Sequence, residues 1–154
     1  LLSFRRFQNL NQPAQQNRRI PHVLRLALAV AGAAGLFLMA IFPNPLFFLT
    51  WLSPLLLLEG LLGLAGIPTL LDDLCRGDRR QLAALALAAL VCGFFWEMWN
   101  YWSLPKWHYS VPYVGRFHFF EMPAVGYSGY LPFGPASWYL WLVLNRALGR
   151  KKAD

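Results

Sequence analysis

The chain's 154 residues suit one compact unit. Only 14% of them are charged and 57% are hydrophobic, whereas a soluble domain carries roughly 25% charge. That balance excludes an ordinary water-soluble globule and predicts a bilayer as solvent. The net charge of +7 would suit nucleic acid, but the charges stand between apolar runs rather than along one polar face, which excludes that partner.

Residues 1–22 form a basic cytoplasmic or interfacial segment with Arg5, Arg6, Arg18 and Arg19. Leu2, Phe4, Phe7 and Leu10 give it a weak apolar stripe, equally readable as an interfacial helix or a linker. A transmembrane domain over 23–149 follows. Its first span covers about 23–42, because roughly 20 helical residues cross the hydrocarbon, and Arg25 is expected to snorkel to the interface. Pro43-Asn44-Pro45 forces a turn. The second span, about 46–67, holds Pro54 and a single charge, Glu59. A charged loop leads to the third span, about 82–102, which turns from alanine- and leucine-rich to aromatic and contains Glu97 and Asn100. The fourth run, about 122–146, carries three prolines and three glycines. Its first half is expected to be irregular backbone tucked into protein, and a helix is expected from about Pro135 to Arg146. Residues 150–154 are a basic tail. The predicted fold is therefore all-α, a bundle of about four transmembrane helices with the last partly broken.

Twelve of the fourteen Lys and Arg residues fall on one side of this scheme, leaving Lys106 and Arg116 on the other. The positive-inside rule puts both termini in the cytoplasm and the aromatic stretch 93–130 toward the outer side. Cys75 and Cys92 read as two free thiols rather than a disulfide.

Acids inside apolar runs are the residues most able to carry chemistry. A charge at the centre of a span costs about 2.5–3.5 kcal/mol on insertion scales. Glu59 is either neutral and bonded to backbone or functional. Glu97 is the stronger candidate: on a helix Gly93, Glu97, Asn100 and Tyr101 share one face, beside a stripe of Trp96, Trp99 and Trp102. The bland alternative is an interhelical polar clamp. The connector supplies Trp107, His108, Tyr109, Arg116 and His118, and Tyr127 and Tyr130 follow Glu121. Glu97 and Glu121 are expected at the same level, with Arg116 as partner to one of them. His108 and His118 beside the two acids match no compact metal-ligand spacing, and no nucleotide-binding loop is present, so neither metal nor cofactor is assigned.

Residues 92–109, with Pro112-Tyr-Val-Gly115 and Phe120-Glu-Met-Pro-Ala-Val-Gly-Tyr-Ser-Gly-Tyr-Leu-Pro-Phe133, resemble an uncharacterised family of bacterial multi-pass membrane proteins. The resemblance covers about 46–145 and implies the inner membrane, without implying an activity. Trp107-His-Tyr109 and Glu121-Met-Pro123 bear a looser similarity to membrane lycopene cyclases and carotenoid hydratases. That similarity implies an acid, Glu97 or Glu121, protonating an isoprenoid double bond, with aromatic faces steadying the cation. Three functions follow as expectations. The first is binding of a lipid, isoprenoid, pigment or partner membrane subunit; the second is intramembrane catalysis of that kind; the third is proton-coupled transport along Glu59 and Glu97.

Overall fold

A computed structural model describes residues 20–109 and 117–149. The expectations for the N-terminal segment up to residue 19, for Arg116 and for the tail 150–154 lie outside the described residues. Among the described residues the fold is all-α, with six helices: α1 (His22–Ile41), α2 (Pro43–Leu46), α3 (Leu49–Leu64), α4 (Leu70–Cys75), α5 (Arg80–Trp102) and α6 (Tyr130–Ala147). Two of these, α1 and α5, are long and apolar enough to cross a membrane.

The breaks follow local chemistry. Helix α1 stops before Pro43, which opens the single turn of α2 as its first residue, where a missing N–H is harmless. Helix α3 has 16 residues, about 24 Å at 1.5 Å per residue. That is shorter than the predicted run, because the turn at Phe47-Phe48 precedes it and Gly66, at φ +73°, ends it. Thr69 and Asp72 form a capping box at the start of α4.

The predicted broken segment resolves into three pieces. Strands β1 (His118–Phe119) and β2 (Met122–Pro123) pair antiparallel with His118 opposite Pro123. A 3₁₀ turn runs over Ala124–Gly129, and α6 starts at Tyr130, five residues before the expected Pro135. Pro132 falls within the first turn, where N–H groups have no intrahelical acceptor, so the helix tolerates it. The two hairpin residues Phe117 and Phe120 take positive φ, 56° and 58°, a conformation aromatic residues seldom adopt.

The helices form a row rather than a closed bundle: α1 packs on α3, α3 on α6, and α6 on α5. Glycines set the closest approaches. Gly32 and Gly35 lie against Ser53 and Leu57 of α3, and Gly60 lies against Ala29. Arg25 does not snorkel outward. Its guanidinium runs past Gly63 and pairs with Asp72 at 2.6 Å, tying α1 to α4. Beyond these contacts the helices expose large apolar side chains, among them Val23, Val30, Phe37, Leu87 and Leu144.

A Cβ at Gly32 would sit 2.7 Å from the backbone carbonyl oxygen of Ser53, so Gly32→Leu must push α1 off α3. We expect a loss of about 1–3 kcal/mol, read as a lower midpoint of thermal unfolding in detergent. Ala31→Leu, on the exposed face of α1, should leave the midpoint within error. Equal losses for the two variants would contradict the glycine contact.

Candidate functional site

The C-terminal end of α5 and the segments packed against it gather most of the acid and aromatic residues that the sequence singles out. Glu97 lies five residues before the end of α5 and is 0% exposed. Its Oε1 accepts hydrogen bonds from two phenols, Tyr109 at 2.6 Å and Tyr130 at 3.0 Å. The indole N–H of Trp107 donates to the Tyr109 oxygen at 2.8 Å. Glu97 Oε2 is buried without a hydrogen-bond partner among the described residues. Gly93, one turn earlier on α5, leaves room for the Tyr130 ring, which a Cβ there would meet at 2.5 Å.

Asn100 is the residue that brings Tyr109 into place. It is 2% exposed and clasps Trp107 through two bonds: its Nδ2 donates to the Trp107 carbonyl at 3.0 Å, and its Oδ1 accepts the Trp107 N–H at 3.1 Å. The amide thus supplies a donor and an acceptor in the manner of a neighbouring strand. The connector folds back on α5, Trp107 packs on Trp96 with ring centroids 5.5 Å apart, and Tyr109 reaches the acid. Burial and the bond to Glu97 push the Tyr109 phenol above its ordinary range, which keeps it a donor.

Beside this cluster opens a half-open cleft of about 790 Å³. Phe47, Phe48 and Trp51 line one side; Ala89, Cys92 and Trp96 of α5 line the other. Its end wall is Gly93, Tyr109 and Tyr130, the shell around Glu97, and its floor includes Met122, Pro123 and Phe133. The lining is almost wholly apolar. Among the described residues no Lys, Arg or His contributes to it.

Glu121 belongs to a separate group. It pairs with Lys106 at 2.5 Å and His108 Nδ1 at 2.9 Å, and the first of these bonds, then the second, hold its carboxyl below the usual range. Glu97 and Glu121 share no hydrogen-bond partner among the described residues. The expected convergence gives way to two neighbouring clusters, joined along the connector from Lys106 to Tyr109. Lys106 is a partner of Glu121 that the sequence did not single out; the expected pairing of Arg116 lies outside the described residues. Tyr101 is not on the buried face with Glu97; it is half-exposed, packed on Phe120 and under the Lys106 ammonium. Trp99 is 63% exposed and does not line the cleft. Tyr127 donates to the Phe119 carbonyl at 3.3 Å, and His118 is exposed on β1. Among the described residues no three His, Cys, Asp or Glu side chains gather as a metal would require.

Glu59 occupies a second buried position, far from Glu97 along the row. It accepts the hydroxyl of Tyr139, which is 0% exposed and whose oxygen accepts the Leu70 N–H at 2.7 Å. Tyr139 was not singled out from the sequence, though a phenol in mid-run needs a partner and Glu59 is the nearest acid by depth. Tyr130 and Tyr139 stand nine residues apart on α6, about two and a half turns, so they project from opposite sides. One reaches α5 and the other α3. The cleft wall from Asn44 to Leu52 also carried no sequence signal, since its residues read as plain span.

Comparison with known protein families, with characterised proteins and with solved structures returns no match.

Two outcomes test this geometry. Asn100→Ala removes both bonds to Trp107 and leaves two backbone groups unpaired, so we expect a loss of about 1–3 kcal/mol and faster deuterium exchange at the Trp107 amide. Unchanged exchange there would refute the clasp. A carboxyl with a depressed folded pKa stabilises fully above its ordinary value and loses that stabilisation as pH falls through the folded value. Acidification below the usual carboxylate range should therefore release the hairpin 118–123 from Lys106, seen as rising amide exchange. Glu121→Gln should show the faster exchange already at neutral pH and lose the pH response.

Proposed function

We propose that this chain is a bacterial inner-membrane protein crossing the bilayer four times, with both termini in the cytoplasm, and that its outer cleft binds the apolar part of a lipid, isoprenoid or pigment molecule. The observation that carries the binding reading is the cleft itself: about 790 Å³ of nearly unbroken apolar lining, ending on a buried acid and two phenols. Sites of this size, lined by apolar and aromatic groups with a few converging polar atoms, are characteristic of small-molecule binding.

The membrane reading rests on three supports. Large apolar side chains face outward along α1, α5 and α6, which water penalises and lipid does not. The helix contacts use glycine and serine, the pattern expected where lipid removes any hydrophobic drive between helices. The acids Glu59 and Glu97 turn inward onto tyrosines, as a bilayer demands of polar groups. The charge asymmetry of the sequence supplies the orientation. Catalysis on an isoprenoid is the second reading, favoured by one fact: an acid with a vacant oxygen stands behind a wall of aromatic faces able to steady a cation.

Cys92→Trp fills the cleft from α5 without touching the Glu97 hydrogen bonds. Native mass spectrometry of the wild type, purified from membranes, should show a bound hydrophobic molecule, and the variant should unfold at a similar temperature but carry none. Identical bound species in both would overturn the binding reading, and a stable monomer of wild type in detergent-free buffer would overturn the membrane reading.

A further inference from the structure

We infer that the cleft selects a neutral ligand whose hydrocarbon chain ends in a hydroxyl, and that this hydroxyl pairs with Glu97 Oε2 and the phenols before it. This rests on the binding reading above and names the chemistry of the ligand's polar end.

Three features lead there. The first is the vacancy at Glu97: one carboxyl oxygen holds two phenol hydrogen bonds, and the other is buried with none among the described residues. A buried polar atom without a partner is destabilising until something supplies one. Glu97 itself does not line the cleft, but the two side chains bonded to its other oxygen, Tyr109 and Tyr130, do, so a head group in the cleft approaches the acid between their rings. The second is the commitment of the phenol hydrogens. Both already point at Oε1, so toward the cleft the Tyr130 hydroxyl has lone pairs to offer and no proton. A ligand that can only accept gains nothing from it, whereas a ligand O–H donates to it or to Oε2. A hydroxyl also accepts, so it matches Oε2 whether or not that oxygen carries a proton.

The third feature is charge. Among the described residues the cleft lining holds no cation, and Lys106, three residues before Tyr109 in the connector, is bound to Glu121. A phosphate or carboxylate head would enter an apolar cleft ending on an acid, with no countercharge to offset its desolvation. Specificity of this kind works by leaving the wrong head group unpaired. The cleft walls, Phe47, Phe48 and Trp51 facing Cys92 and Trp96, take the chain; the end wall reads the head.

Three molecules of one chain type separate the terms: farnesol, farnesyl phosphate and the hydrocarbon farnesene. Each is titrated into wild-type protein in phosphatidylcholine nanodiscs, following fluorescence of the tryptophans that line the cleft. Farnesol should bind about tenfold or more tighter than farnesene, the change expected for one well-made buried hydrogen bond, and farnesyl phosphate should bind weakest. Glu97→Leu should bring farnesol down to the level of farnesene. Should that variant fail to fold, the wild-type order alone decides. Farnesene matching farnesol overturns the hydroxyl assignment while leaving an apolar site. Farnesyl phosphate binding as tightly as farnesol overturns the neutral-head assignment. No binding by any of the three, with Cys92→Trp also without effect on co-purifying molecules, overturns the binding reading itself.

Discussion

A carboxyl group sealed from solvent needs hydrogen-bond donors at fixed positions, and much of this molecule is arranged around supplying them to Glu97. Burial in a low-dielectric interior makes each such bond stronger and each missing one more damaging. Two phenols meet the need, one from the start of α6 and one from the connector after α5. Meeting it fixes the rest: Gly93 must lack a side chain so that Tyr130 fits, and Asn100 must hold Trp107 so that the connector turns back. The cleft forms in front of the residues so fixed. Its end wall is rigid because every side chain in it is held by another.

The same logic recurs at Glu59, with Tyr139 in the phenol's place and a helix-start N–H behind it. Helix α6 thus carries a tyrosine on each of two opposite sides, one for each acid-bearing neighbour. That is why α6 lies in the middle of the row although it comes last in the chain. The two sites differ in what surrounds them. Around Glu59 the space is filled by Leu62, Leu70 and their neighbours, so the pair acts as a tie between helices. Glu97 is as deeply buried, but the cleft opens on the far side of its phenol partners Tyr109 and Tyr130.

Much of this could be read from the amino acids. The four apolar runs located the four long helices, since length and hydropathy need no knowledge of neighbours. Glu97 and Asn100 stood out because a helical period puts them on one side and an apolar run cannot tolerate them facing outward. The prolines and glycines of 122–135 announced irregular backbone, though not that helix would resume at Tyr130. The partners were harder. Lys106 for Glu121, and Tyr139 for Glu59, depend on how distant segments meet, which no local period encodes. Tyr101 and Trp99 share the aromatic character of their neighbours, and only helix rotation within the row separates exposed rings from lining ones. The cleft is a gap between α3 and α5, each resting on α6, and a gap leaves no mark in any one segment.

The row arrangement also bears on how the chain assembles. Helix α1 grips α3, its near neighbour in sequence, through glycine contacts, and the salt bridge from Arg25 to Asp72 closes that first hairpin at its charged end. Helices α5 and α6 make the second hairpin, and the α3–α6 contact, with the bond from the Leu70 N–H to Tyr139, joins distant parts of the chain. Local contacts of this type form early, so each hairpin closes on its own residues. The cleft, which needs both, comes into existence only after them.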